Sequence, residues 1–382
     1  MSYLEYNTKR MPAGFAKVLY LNWPLVALLI AVAAYGIVML YSIAGGSLQP
    51  WAEPQAKRFA VGLAVMFAVA FMPLWFWRSI AGIAYAVSLV LLLGVEFFGT
   101  VGMGAKRWLV IGPLRLQPSE LAKITTILAL AAYYDALDLK KVSRPHYVLL
   151  AALIALLPAL LVLRQPDLGT AILIALGGAV VIFAAGVHWG YFAAVISSGI
   201  ALATTVIASR GTDWQMLKDY QYRRIDAFLD PSIDPLGAGY HINQSMIALG
   251  SGGWSGRGFM EGTQARLNFL PEKHTDFIFT TLAEEFGFLG ASSLLLLYML
   301  VMGVCLLTAL RTTNRFGALL VMGVIGTFFL YFAVNMAMVM GLAPVVGVPL
   351  PLVSYGGSAM LVLMVGFGLV QSAHVHRSRL PT

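Results

Sequence analysis

LNWPLVALLIAVAAYGIVMLYSI, residues 21 to 43, carries no acidic or basic side chain from end to end. A helix needs about 20 mostly apolar residues to cross the roughly 30 Å hydrocarbon layer of a bilayer, so this run is long enough to span. Comparable runs lie near residues 58–76, 79–98, 119–135, 147–163, 168–187, 189–208, 277–309, 316–340 and 350–373. The whole chain of 382 residues is 59% hydrophobic and 11% charged, against about 45–50% and about 25% in soluble domains. The sequence predicts an all-α polytopic membrane protein of about ten transmembrane helices, one integral domain over residues 1–382. Glycine recurs inside the runs, as expected where helices approach closely in lipid.

The first run is longer than the roughly 7–15 residues of a signal-peptide core and further spans follow it, which makes it a retained helix. Cys305 is the single cysteine and lies in an apolar run, so no intramolecular disulfide can form. The formal charge of +8 is dispersed among connecting segments rather than gathered on one face. That dispersal points to anionic membrane lipids and away from nucleic acid.

An even number of spans puts both termini on one side. Lys9, Arg10, Lys17, Arg78, Lys140, Lys141, Arg144, Arg311, Arg315, Arg377 and Arg379 fall on that side, against Lys57, Arg58, Lys106, Arg107, Arg115 and Arg164 in the opposite short loops. The positive-inside rule then makes the termini cytoplasmic and turns one large loop, residues 209–276, outward. Its DWQMLKDYQYRRIDAFLD suits an interfacial helix, YHINQSMIAL a short helix, and GSGGWSGRG a glycine-rich hinge. No internal repeat of the kind common in secondary transporters is present.

Ionisable groups at membrane depth are expensive and rare, which makes each a candidate. Glu120 and Lys123 in PSELAK stand three apart on one helix face and can neutralise each other. They form either a structural ion pair or a pair lining a cavity open to a charged headgroup. Arg107, beside Trp108, suits interfacial anchoring or a phosphate contact. Asp167 in RQPDLGT suits a helix cap. In PEKHTDFIF, residues 271–279, Asp276 enters the eighth span directly after the loop. Thr275 or Asp276 can cap that span, or the Asp276 carboxylate can serve chemistry where the loop meets the membrane. Both readings stand on these residues alone. Glu284 and Glu285, adjacent on one helix, cannot face one direction. His274 has no second His or Cys at ligand spacing.

Six stretches in order, KRWLVIGPLRLQPSELAK, RQPDLGTAIL, DPLGAGYHINQSMIALGSGGWSGRG, GTQARLNFLPEKHTDFIF, LAEEFGFLG and PVVGVPLPLVSYGGS, resemble the SEDS family of peptidoglycan polymerases. DPLGAGYH and VPLPLVSYGGS are worded more like its RodA branch, which serves cell elongation, than its FtsW branch. The resemblance implies an inverting glycosyltransferase that polymerises lipid II on the outer face of the bacterial cytoplasmic membrane. It implies Asp276 as catalytic base, Glu120 and Lys123 in the cavity, and Lys273 beside the base. Arg107, Lys123, Arg223, Arg224 and Arg257, with a divalent cation (Mg or Mn), are its candidates for the departing pyrophosphate. Implied partners are a class B penicillin-binding transpeptidase, which crosslinks what this chain would polymerise, and other elongation-complex proteins. The rival classes are a lipid II flippase and a non-catalytic scaffold for the transpeptidase.

Overall fold

The computed structural model describes residues 14–102, 105–111, 114–212, 214–216, 222, 226, 238–263 and 272–377. Eleven α-helices run through these residues. They are α1 (Trp23–Ile43), α2 (Ala52–Phe71), α3 (Leu74–Phe98), α4 (Pro118–Asp135), α5 (Pro145–Arg164), α6 (Leu168–Ala184), α7 (Trp189–Ala208), α8 (Ala238–Ser251), α9 (Ile278–Arg311), α10 (Arg315–Val339) and α11 (Ser358–Val375). Eight of them are long and apolar enough to cross a membrane. The two remaining counterparts of the ten expected spans are α6, only 17 residues long, and α4, which contains Glu120, Lys123 and Asp135. Both lie against other helices: α4 touches α3, α5, α6 and α10.

Local chemistry sets several starts. Asn22 accepts from the Leu25 amide to cap α1, Asn314 from Gly317 to cap α10, and Asp167 from Thr170 to cap α6, as the sequence suggests for Asp167. Two limits differ from the hydropathy reading. α2 begins at Ala52, because Glu53, bonded by Gln49 and Lys57 (both 2.5 Å), is solvated in its first turn. α11 begins only at Ser358, since Pro349 and Pro351, with Leu352 at φ 63°, keep the preceding segment out of helix.

A small antiparallel meander joins α3 to α4, an element that helical periodicity does not reveal. β1 (Thr100–Gly102), β2 (Ala105–Ile111) and β3 (Leu114–Leu116) pair in that order, with Leu109 opposite Leu116.

The core lies among α1, α2, α4, α9, α10 and α11, where Tyr134, Tyr298, Tyr331, Phe316, Phe328 and Phe367 are fully buried. Many outward leucines of α5, Leu149, Leu153, Leu156 and Leu160 among them, remain exposed. Lipid costs them nothing, since it is as apolar as they are. One end of the bundle is closed by Lys17 donating to Phe71 O (2.6 Å), Arg78 paired with Asp135 (2.9 Å) and Arg315 donating to Leu137 O (2.5 Å). The opposite end gathers the meander, α8, residues 252–263 and 272–277, and the 340–357 segment.

Helix α9 is broken inside that second end. Gly287 sits at φ 64°, ψ −159°, a conformation that only glycine adopts cheaply. The break strands amides and carbonyls, and residues 253–258 take them up: Arg257 N and Gly258 N donate to Glu284 O and Glu285 O (both 3.0 Å), while Phe288 N and Leu289 N donate to Gly253 O (2.8 Å) and Trp254 O (3.1 Å). The glycine-rich stretch expected as a hinge is thus a docked cap on a broken helix, fixed by backbone bonds on both sides. A Cβ on Gly287 would stand 2.3 Å from Gly256 N. Gly287→Ala is expected to cost roughly 2–4 kcal/mol from backbone strain and overpacking, seen as a fall in Tm in detergent. Gly303→Ala in the same helix, where nothing lies within 4 Å of the new methyl, should leave Tm unchanged or raise it.

Candidate active site

Residues 272–277 form turns before α9, not its cap. The N-cap position is Phe277 and receives no side-chain bond. Thr275 Oγ1 turns back to Glu272, bonding its carbonyl (3.2 Å) and its carboxylate (2.9 Å). The capping reading of Thr275 and Asp276 therefore fails for geometric reasons: the hydroxyl is already engaged and the carboxylate stands outside the first turn.

What holds Asp276 is its backbone. Asn335 Nδ2 of α10 donates to Asp276 O (2.8 Å) and to Val348 O (2.7 Å). Ser354 Oγ donates to Thr275 O (2.5 Å), and Tyr355 N to His274 O (2.9 Å). His274 stacks on Trp51 at 4.8 Å. The side chain of Asp276 accepts no hydrogen bond and makes no ion pair among the described residues. It is half-buried, and a Cβ on Gly347 would lie 3.7 Å from its Oδ2, so glycine leaves room beside the carboxylate. Burial, with Glu272 adding to it, pushes the Asp276 carboxyl up to about 6. Glu272, rather than Lys273, is the neighbouring charge that matters. Burial pushes Lys273 down and His274 down, which leaves the imidazole neutral at pH 7.

Glu120 and Lys123 meet at 2.6 Å and are almost fully buried. Tyr331 of α10 completes a closed triad: its hydroxyl donates to Glu120 Oε2 (2.9 Å), and Lys123 Nζ reaches the same hydroxyl and lies 4.4 Å from the ring centroid. Tyr331 and Asn335 are one turn apart on α10, so one helix face carries both the triad and the Asp276 support. Tyr331 also walls a pocket lined by Pro349, Pro351, Ser354, Gly356 and Ala359.

The other expected cations are placed as follows. Arg107 on β2 donates to Pro166 O (2.5 Å) and faces Asp167 at 3.7 Å, pinning the meander to the α5–α6 turn. Arg257 reaches Thr263 Oγ1 (3.1 Å) and approaches Glu284 at 3.9 Å. Arg223 and Arg224 lie outside the described residues. Glu284 accepts from the Thr263 amide and hydroxyl (both 2.8 Å), and Glu285 from Ser42 (2.5 Å); both are buried at the α9 break. The structure therefore sets Asp276 and the Tyr331 triad along the start of α9 and one face of α10, with Lys273 in the turn before Asp276. Arg107 and Arg257 brace neighbouring loops at the same end.

Sequence reasoning assigned no role to Tyr331, Asn335, Ser354 or Tyr355, although Ser354 and Tyr355 stand in the quoted SYGGS stretch. Asn335 had a readable signal, a lone amide inside an apolar run. As for a metal, among the described residues no three His, Cys, Asp or Glu side chains converge on one point. The described side chains therefore build no all-protein cation cage, whereas Mg typically takes only one or two carboxylates together with substrate phosphates and water.

A family model described as "Cell cycle protein", covering FtsW, RodA and SpoVE, matches residues 22–379. The peptidoglycan glycosyltransferase MrdB of Escherichia coli (strain K12) is 42% identical over 94% of this chain and 95% of its own. The peptidoglycan glycosyltransferase RodA of Treponema pallidum (strain Nichols) is 32% identical over 93% and 98%. Among solved structures, a chain from work on the coordination of polymerization and crosslinking by a peptidoglycan synthase complex superposes with a TM-score of 0.80 at 33% identity, covering 93% of this chain and 97% of that one. The crystal structure of the Thermus thermophilus rod shape determining protein RodA gives a TM-score of 0.70 at 31% identity, covering 94% and 98%. With a helical membrane fold, a loop-to-helix aspartate and the ordered motifs in agreement, the chain belongs to the FtsW/RodA/SpoVE family of cell cycle proteins, the SEDS family.

Proposed function

We propose that Asp276 is the general base by which this multi-pass membrane protein joins lipid II units into glycan strands. The chain is a peptidoglycan glycosyltransferase, and the observation that carries the assignment is the uncommitted, half-buried Asp276 carboxylate on a rigidly bonded backbone. In the step, the 4-hydroxyl oxygen of an incoming lipid II sugar bonds to the anomeric carbon of the growing strand. The carbon's bond to the lipid diphosphate breaks, its electron pair leaving on the diphosphate oxygen, and the hydroxyl proton passes to Asp276. Direct displacement turns an α-phosphate into a β-1,4 link. With positive-rich loops inside, the termini lie in the cytoplasm and this chemistry lies on the outer face of the bacterial cytoplasmic membrane. A class B penicillin-binding transpeptidase is the partner that crosslinks the product, alongside other elongation-complex proteins.

Purified protein given lipid II in vesicles of fixed orientation tests this reading. Glycan chains are the expected product; lipid redistribution without bond formation would mean a flippase, and neither outcome a scaffold. The pH profile adds a second readout. A base must be ionised, so below about pH 6 the rate should fall roughly tenfold per pH unit and above it level off. A rate independent of pH between 5 and 7.5 would remove Asp276 from the proton transfer.

A further inference from the structure

We propose that Arg58 of α2, with the face of Tyr355 and the gap left by Gly357, is the site that receives the lipid-linked diphosphate as it departs. This rests on the polymerase reading above and names the group that reading lacks. A diphosphate gains negative charge as its bond to carbon breaks, and a transfer of this kind needs a fixed cation where that charge appears. Of the candidate cations for the departing pyrophosphate, the three among the described residues are engaged by protein: Lys123 by Glu120 and Tyr331, Arg107 by Pro166 O and Asp167, Arg257 by Thr263 and Glu284.

Arg58 differs. Its Nη1 is buried and has no hydrogen-bond partner, and among the described residues its guanidinium makes no ion pair. What it touches is a ring: its Cζ lies 4.7 Å from the Tyr355 centroid. An aromatic face orients a guanidinium while leaving its in-plane N–H fork unspent. A buried arginine nitrogen without an acceptor is costly, and such a group is kept where an anion completes it.

The setting matches that use. Tyr355 N bonds His274 O at 2.9 Å, which ties the arginine's platform to the turn that ends in Asp276. Gln55, on the preceding turn of α2, donates to Ser354 O (2.8 Å) and accepts from Gly356 N (3.4 Å), so α2 and the SYGGS segment are held in register. A Cβ on Gly357 would stand 3.6 Å from Arg58 Cζ and Nε, and glycine there leaves the fork open. The pocket beside it is lined by Ser354, Gly356 and Ala359. Gly357 is also the N-cap of α11, which begins at Ser358 with no capping side chain. Arginine's planar fork suits two diphosphate oxygens at once, and lysine's single ammonium does not.

The test uses the full chain in detergent and reads lipid retention by native mass spectrometry for undecaprenyl diphosphate, undecaprenyl monophosphate, undecaprenol and phosphatidylglycerol. Arg58→Gln should lower retention of the diphosphate roughly tenfold or more while leaving undecaprenol unaffected, with Arg58→Lys between. Lys57→Gln, which removes a neighbouring exposed charge paired with Glu53, should match the unmutated protein. In lipid II polymerisation Arg58→Gln should lower kcat about 100-fold, with KM changed far less and Tm retained. Equal diphosphate retention by Arg58→Gln and unmutated protein overturns the proposal, as does a loss of phosphatidylglycerol in Arg58→Gln as large as the loss of diphosphate, which would make this a headgroup site. If the unmutated protein makes no glycan yet Arg58→Gln still loses the diphosphate, the binding site stands and the polymerase reading is what fails.

Discussion

Lys123→Met is expected to destabilise the protein by about 3–5 kcal/mol, the usual cost of leaving one member of a buried ion pair uncompensated. Lys123 is 3% exposed and Glu120 6%, so the orphaned carboxylate would have no water to turn to. Tyr331 cannot replace the lost charge, because its hydroxyl already donates to Glu120 Oε2. The fall should appear in Tm and in resistance to unfolding by detergent. Glu120→Gln combined with Lys123→Met should recover much of the loss, since replacing both charges removes the penalty that each imposes alone. Tyr331→Phe keeps the packing and drops one hydroxyl, for about 1–3 kcal/mol. A pair that instead lined an open cavity and bound a headgroup would behave differently: Lys123→Met would lose activity and leave Tm nearly untouched.

The spans were legible because lipid enforces them: residues 23–43 form one helix with no charge to explain. Asp167 was legible as a cap because capping is a local bond to an amide within one turn. The triad was only half legible. Glu120 and Lys123 are three residues apart, but Tyr331 is separated from Glu120 by 211 positions, and no local pattern announces a partner so distant. The α9 break hides for a related reason. AEEFGFLG reads as uninterrupted helix, since glycine is common in membrane helices, and the residues that satisfy the break come from an upstream loop. At Asp276 the local rule itself misleads. Thr and Asp before a helix usually cap it, yet here Glu272 captures the Thr275 hydroxyl and the cap is forfeited. That forfeit leaves the carboxylate uncommitted. Arg58 counted in the sequence only as one more basic residue in a short loop, because what sets it apart is an absent acceptor and a tyrosine at 4.7 Å.

Asp276→Asn should have the larger effect on activity and almost none on the fold. General-base assistance is worth roughly 10²–10⁴ in rate. Asn keeps the shape but accepts no proton, so polymerisation should fall by about that factor. Stability should not fall with it. The carboxyl is raised from an ordinary 3.8 to about 6 in the folded state, so folding binds more protons than the unfolded chain in that window. Its ionisation therefore costs stability as pH rises through it, and the cost persists at neutral pH. The neutral amide avoids that cost, and Asn335 and Ser354 bond the backbone of this turn, not the carboxylate. Tm of the variant at pH 7.5 should equal or exceed that of the unmutated protein.

The decisive measurement is thus lipid II polymerisation by Asp276→Asn, purified with the transpeptidase proposed as its partner and compared at equal Tm with the unmutated protein. A folded variant that makes no glycan, or makes it at least 100-fold more slowly, is the expected result. Polymerisation at the unmutated rate would contradict the account, strip Asp276 of the base role and turn the search to Glu284 and Glu285 at the α9 break.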